Sequence, residues 1–262
     1  MGFGIEVVAG RVTNPGGTFT ALTANTGSSF TVKSAQESSP VFLDDMWAKG
    51  ATAGVFRLRS PRLHDNTTGI AAPYQTTNSR SALDYIPGQP LVPNDAIIAE
   101  ATGGAAETDV AAAVYYYENL DGIAAVLASH DEILPRVKNL VTVQVNVTGA
   151  ATLGDWSAGT ALNATDDKLH ADETYALLGY LPTNPVLAIA IAGADTGNLR
   201  VGGPGTSEQL ETRNWFVRKS IETGRPYIPV IKANNKGSTL VFQCDNAAGA
   251  TNNTFLILAE LQ

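Results

Sequence analysis

Gly88-Gln89-Pro90-Leu91-Val92-Pro93 returns 136 positions later as Gly224-Arg225-Pro226-Tyr227-Ile228-Pro229, and similar sequence follows each copy. Behind the first come an apolar run, Ala96-Ile97-Ile98-Ala99, a small turn, Gly103-Gly104-Ala105-Ala106, and a closing run from Val110 to Tyr115. Behind the second come Thr239-Leu240-Val241-Phe242, then Asn246-Ala247-Ala248-Gly249, then Phe255-Leu256-Ile257-Leu258. A repeat of about half the chain length implies two related units rather than one large one.

Working outward, most apolar residues fall in runs of four to eight, rich in Val, Ile, Phe, Tyr and Thr and bounded by Gly, Asn, Asp or Pro, which is the pattern of strands. The first half offers Thr18 to Thr23, Phe30 to Lys33, Val55 to Arg59, Ala96 to Thr102 and Val110 to Tyr117. The second offers Leu140 to Val147, Val186 to Ala192, Trp215 to Arg218, Tyr227 to Ile231, Leu240 to Cys244 and Phe255 to Glu260. Short strands with frequent turns predict an all-β fold of the sandwich, jelly-roll or barrel kind. Three stretches carry helical signals: Leu43 to Lys49, Asp172 to Gly179, and Gly122 to Val137 between the repeats, which Pro135 should end. The first two pair an acidic start with an aromatic and an alanine, and acids in a first helical turn complement the helix dipole. Two long Gly/Asn/Ser-rich crossings, Ser60 to Arg80 and Asp195 to Glu211, precede the two Pro motifs. The prolines are expected to set the entry to the penultimate strand of each half, where strand starts and edges tolerate them.

At 262 residues the chain can bury roughly 70 to 75 % of its unfolded surface. Only 16 % of residues are charged, against roughly 25 % in an average soluble domain, so the surface is polar without being strongly charged. The net charge of −8 offers no positive field for a phosphate backbone, which argues against direct nucleic-acid binding. The single cysteine, Cys244, excludes an intrachain disulfide and reads as a buried strand residue. The first residues lack a basic start and a long apolar core, and the most apolar stretch, Val186 to Ala194, is too short to span a bilayer, so a cytoplasmic location is expected.

Chemistry-bearing constellations are sparse. His64, His130 and His170 stand in unlike contexts and form no His-x-His or His-Glu-x-x-His pattern. Among the acids, Asp166, Asp167, Asp172 and Glu173 are weak metal candidates: carboxylates suit a hard cation, but the alternate spacing and turn glycine of a calcium loop are missing. Val201-Gly202-Gly203-Pro204-Gly205 reads as a turn, since no Lys follows at phosphate-loop spacing. The sequons at Asn66, Asn146, Asn163 and Asn252 matter only in a secreted protein. Arg57 and Arg59 share a strand face and, grouped with Arg62 and Arg80, face either acids of a neighbouring subunit or acids within the chain. Tyr115, Tyr116 and Tyr117 point to both faces of a strand, which predicts one buried and another at a surface or interface. No catalytic residue and no cofactor-binding residue is indicated.

Two tandem β-units, a short helix at the same place in each, a linking helix and no catalytic set resemble the double jelly-roll major capsid proteins of tailless icosahedral viruses, at the size used by small membrane-containing bacteriophages. The resemblance covers nearly the whole chain and rests on architecture and the repeated Gly-x-Pro-x-x-Pro segments. It implies an N-terminal arm over 1–17, a first jelly roll over 18–118, a connecting helix over 119–138 and a second jelly roll over 139–262. It further implies a non-enzymatic virion protein, assembled in the host cytoplasm without cofactor, whose homotrimers form pseudo-hexameric capsomers. Its partners are then other copies of itself, penton or minor capsid proteins and, in some members, an underlying membrane. Two rivals remain: another β-sandwich virion protein (decoration, attachment or carbohydrate-binding), favoured by aromatics gathered on one exposed face, and a bicupin enzyme, which needs His-rich metal motifs that three isolated histidines do not supply.

Overall fold

The structure, a computed structural model, describes residues 2–35, 39–64, 66–76, 88–122, 125–166, 168–206, 212–232, 240–244 and 249–262. The first half contains β1 (Gly4–Thr13), β2 (Thr20–Ala21), β3 (Thr23–Ala24), β4 (Val41–Lys49), β5 (Gly54–Arg59), β6 (Ile70–Tyr74), β7 (Gln89–Leu91), β8 (Ile98–Thr102) and β9 (Thr108–Tyr117). The second contains β10 (Leu127–Ala128), α1 (His130–Ile133), β11 (Val137–Thr148), β12 (Thr160–Ala161), β13 (Thr174–Pro182), β14 (Ala188–Ala192), β15 (Val201–Pro204), α2 (Trp215–Thr223), β16 (Ile228–Lys232), β17 (Leu240–Cys244) and β18 (Thr251–Leu261). The chain is all-β: four antiparallel sheets, arranged as sandwiches, with two short helices among the described residues.

The duplication is legible in the strand order. One five-stranded sheet runs β3-β1-β9-β4-β7 and the other β10-β16-β13-β18-β11, so the order β1-β9-β4-β7 recurs as β11-β18-β13-β16. The four-stranded sheets run β2-β8-β5-β6 and β12-β17-β14-β15, again position for position. The match extends to detail: β4 bulges against β9 between Leu43 and Asp45, and β13 bulges against β18 between Leu177 and Gly179. The two Pro motifs occupy the same slot, the strand beside β4 in one half (β7) and beside β13 in the other (β16). They build or lead into the antepenultimate strand itself rather than the entry to the penultimate one. Both crossings hold the terminal strand of a four-stranded sheet, β6 and β15, and each of these carries a proline, Pro73 and Pro204, where among the described residues no further strand needs its N–H.

Several local expectations are overturned. The two acidic-started stretches form strands, not helices. Asp44 and Asp45 are fully buried inside β4, so they satisfy no helix dipole, and pairing with β9 overrides local propensity. Asp172 sits in a left-handed turn before β13 (φ 68°). Residues 4–13 of the expected arm form β1, hydrogen-bonded to β9 along its whole length. Among the described residues of the connecting segment only His130–Ile133 is α-helical, capped reciprocally by Ser129 and Glu132, and Pro135 falls in a single 3-10 turn, Leu134–Arg136, before β11 begins at Val137. Conversely, Trp215 to Arg218 starts a helix: Trp215, Phe216, Lys219 and Ser220 are buried at helical spacing and Gly224 closes the helix in the left-handed region. Phe30 to Lys33 belongs to no named strand, although Val32 exchanges backbone hydrogen bonds with Asn94 and Asp95.

The two five-stranded sheets are buried differently. In β11, Val143, Val145 and Val147 face the core while Thr142, Asn146 and Thr148 are exposed, the alternation of a sheet with one wet face. In β1 and β9 nearly every residue is buried, including Tyr115, Tyr116 and Tyr117 at 0 % exposure, because the second half covers the outer face. The period of two decides what each tyrosine touches. Tyr115 donates to the carbonyl of Phe30 (3.0 Å) and Tyr117 accepts from the N–H of Lys33 (3.2 Å) within the first half, whereas Tyr116 reaches across to the carbonyl of Pro226 (3.1 Å).

Within the first sandwich Asp109 of β9 ties the two sheets together through the Tyr74 hydroxyl of β6 at 2.6 Å. Burial pushes the Asp109 carboxyl up to about 6, with the charge of Glu107 adding to the shift and the Tyr74 bond opposing it. Tyr74 has one proton for two acceptors, Asp109 and the carbonyl of Thr102, so a protonated Asp109, itself a donor, completes both bonds. An acid whose folded pKa is raised stabilises the fold below its unfolded value, near 3.9, and that stability is lost as pH rises through about 6. The melting temperature should therefore rise as pH falls from 7 toward about 5, and Asp109→Asn should flatten this dependence; an unchanged slope in the variant would remove Asp109 from the account.

Candidate functional site

Among the described residues, charged and aromatic contacts concentrate where the two halves meet. At one end of this seam the bulge in β4 turns the Asp44 carboxylate toward the second half, where Arg225 lies at 3.2 and 3.4 Å and the Tyr227 hydroxyl donates at 3.0 Å. Lys219, wholly buried in α2, donates to the Asp44 backbone carbonyl (3.1 Å) and stands 3.9 Å from the Asp45 carboxylate. The Arg225 guanidinium lies over the Phe42 ring at 3.6 Å, and Tyr116 stacks on Tyr227 at 5.2 Å. Gly88 has to be glycine here, since its φ is +102° and a Cβ would fall on the Asp44 carboxylate. Burial pushes the Asp44 carboxyl up, against the pull of Arg225, Lys219 and Tyr227.

Further along, the indole N–H of Trp47 donates to the carbonyl of Leu187 (2.7 Å), and the backbone N–H of Val7 donates to the carbonyl of Arg200 (2.9 Å), just ahead of β15. At the far end Arg11 pairs with Asp155 at 2.5 Å, Trp156 donates to the Ser28 hydroxyl at 3.0 Å, and Arg200 donates to the carbonyls of Gly27 and Thr26. Three zones of charged and aromatic contact thus lock one relative placement of the halves, with polar groups supplying direction that apolar burial alone lacks.

The residues singled out in the sequence fall elsewhere. Asp166 pairs with Lys168 at 2.6 Å and Glu173 with Lys138 at 3.5 Å, so these two candidate metal ligands are engaged by different lysines. Asp172 lies in the turn already described, and Asp167 lies outside the described residues. Among the described residues no three of His, Cys, Asp or Glu gather closely enough to hold a metal ion. Arg57 and Arg59 find their acid inside the chain: both bind Glu100 of the neighbouring strand β8, at 2.7 and 2.8 Å, and the bond from Arg59 leads the effects that hold Glu100 below the usual carboxylate range. Arg80 is outside the described residues. Cys244 lies on β17, as its run implied, with its side chain outside the described part.

Two features had no signal in the sequence. Asp44 and Arg225, separated by 181 positions, meet only through tertiary structure. The second is an open apolar pocket of about 310 Å³ on the outer face of the second five-stranded sheet, lined by Leu134, Val137, Leu140, Leu178, Val217 and Ile228 among others. Leu140 is 70 % exposed and Leu134 62 %. No family model, curated relative or solved structure matches this chain.

Removing one partner of a buried ion pair leaves the other uncompensated, a loss of about 3 kcal/mol. Arg225→Ala should lower unfolding stability by about that amount, while Asp44→Asn, which keeps an acceptor for Tyr227, should cost less; the two losses, read from denaturant midpoints and combined with the double variant, should show coupling above about 1 kcal/mol.

Proposed function

We propose that the chain is a double jelly-roll major capsid protein, whose trimers present six similar sandwiches and tile an icosahedral shell as pseudo-hexameric capsomers. The observation that carries this assignment is the repeated strand order. A jelly roll pairs its first, eighth, third and sixth strands in one sheet and its second, seventh, fourth and fifth in the other. Taking β1, β2, β4, β5, β6, β7, β8 and β9 as strands one to eight gives that order, and β11, β12, β13, β14, β15, β16, β17 and β18 give it again. A rigid seam between the halves fits this role, because a capsomer edge has to hold its angle under load from its neighbours.

The distribution of aromatics favours the capsid over a sugar-binding virion protein. Trp47, Trp156 and Trp215 are all buried, and the one exposed aromatic among the described large apolar residues, Phe19, is covered by the Arg57 guanidinium at 3.6 Å. A platform for stacking on sugar rings needs several such rings open on one face. In the bicupin alternative the histidines would converge, whereas His64 follows β5, His130 opens α1 and His170 precedes β13.

Purified protein should run in sedimentation equilibrium as a trimer of three times 27.4 kDa, about 82 kDa, or as larger shells visible in negative stain. A strict monomer at every concentration would sink the capsid assignment.

A further inference from the structure

Charge is scarce in this chain, and burying it is unfavourable unless each group is well placed. Lys219 is the only buried lysine among the described residues, at 0 % exposure, whereas Lys33, Lys138 and Lys168, which also face acids, keep 43 to 53 % of their side chains in water. Its neighbour lies as deep: Asp45, also at 0 %, brings its Oδ2 to 3.9 Å from the Lys219 Nζ.

The bulge between Leu43 and Asp45 sets two acids in succession at the seam, and they divide the groups that face them. Arg225 and the Tyr227 hydroxyl take the Asp44 carboxylate, while Lys219 donates to the Asp44 backbone carbonyl at 3.1 Å. That bond fixes the lysine nitrogen beside the Asp45 carboxyl, at a separation longer than the roughly 2.8 Å of a charge-assisted hydrogen bond. The wall around the nitrogen is aromatic. Trp215, one turn earlier in α2, has its ring 6.0 Å from Nζ and meets Phe216 and Tyr227 edge to face, and all three rings are at 0 % exposure. Burial of this depth excludes the water that would hydrate both groups and oppose their condensation.

We propose that Lys219 and Asp45 condense into an amide, a covalent bridge between β4 of the first half and α2 of the second. Lys219 passes one proton to the Asp45 carboxylate, and the amine so formed adds to Cγ. The Cγ–N bond forms, one Cγ–O bond breaks, and that oxygen departs with two protons as water. Of the ammonium's three protons one stays on the amide nitrogen and two leave in the water, so no oxidant, reductant or further reactant enters. Holding both groups on packed elements supplies the orientation that a bimolecular condensation lacks, an effective concentration on the order of 10⁵ M or more for a well-aligned pair. The product is one neutral amide in place of two buried ions, which removes the penalty of keeping them from water. Since the two residues meet only once the halves have docked, folding precedes the bond, and the finished chain carries a closed loop from Asp45 to Lys219 that narrows its unfolded ensemble.

The bridge lies inside one chain, so it stands or falls apart from any assembly of copies. Intact-mass spectrometry of the purified, denatured chain should read one water below the mass of its sequence, and Lys219→Arg, which keeps the cation, should restore the full mass. A tryptic digest of the wild type should contain one branched peptide that joins the segment holding Asp45 to a segment in which Lys219 is left uncleaved. That peptide decides the matter from the wild type alone should Lys219→Arg fail to fold. A wild-type chain that keeps its full sequence mass after prolonged incubation in the folded state overturns the bridge. A loss of water that persists in folded Lys219→Arg also overturns it, since the dehydration then lies elsewhere in the chain. Either result leaves the capsid assignment untouched, and a strict monomer that yields the branched peptide removes that assignment while keeping the bridge.

Discussion

Everything distinctive in this chain depends on the burial of one sheet on both of its faces. An antiparallel sheet ordinarily keeps one face wet, and the second half does so along β11. The first half does not, because β1, β4 and β9 are buried on both sides: Val7, Val8 and Ala9 run consecutively, as do Ala111 to Tyr117. Left uncovered, such a sheet would present a large apolar face to water. The second half covers it, and the buried charges at Asp44, Asp45 and Lys219 fix how. Burying ions is unfavourable unless they are well partnered, so a displaced seam would strand them. Apolar area supplies the attraction and the ionic cluster supplies the register.

The same division explains the aromatic tract on β9. Three successive tyrosines would overfill a one-sided strand. Here two hold down the 30–33 segment of their own half and the middle one stacks on Tyr227 of the other, its hydroxyl still finding the carbonyl of Pro226. Gly88 belongs to the same construction, since its missing side chain leaves room for the Asp44 carboxylate beside Arg225.

Much of the architecture was readable beforehand, for stated physical reasons. Runs such as Val55 to Arg59, Leu140 to Val147 and Phe255 to Glu260 carry β-branched and alternating patterns that few other folds would use, and the strands are where those runs lie. The Pro motifs pointed to the duplication because the same succession of runs follows each, and the two copies sit in corresponding strands, β7 at the end of its sheet and β16 between β10 and β13. What failed were stretches whose local signal and tertiary fate disagree. Leu43-Asp44-Asp45-Met46-Trp47-Ala48 has the composition of a helix start, yet β9 lies alongside to pair with it and Arg225 and Lys219 lie across from its acids. Trp215 to Arg218 is aromatic and branched like a strand, yet it spaces its buried residues as a helix. The seam was invisible because its partners lie far apart in the chain, 110 positions for Tyr116 and Pro226 and 181 for Asp44 and Arg225, and a single sequence records no such pairing.

The bulge in the third strand of each five-stranded sheet holds Asp44 in one half and Leu178 in the other, and that single difference decides what each bulge can meet. The Asp44 contact joins segments of one polypeptide, so its effective concentration is set by the tether and it can form in a lone chain as it folds. The Leu178 bulge instead lines an open apolar pocket with Leu140, Val217 and Ile228, where attraction is non-directional. A buried pair is screened by salt much less than an exposed one, so ionic strength acts weakly on the Asp44 contact, whereas excluded salts strengthen apolar burial. A chain built from two near-copies thereby gives one bulge a directed ionic contact and leaves the other apolar and open.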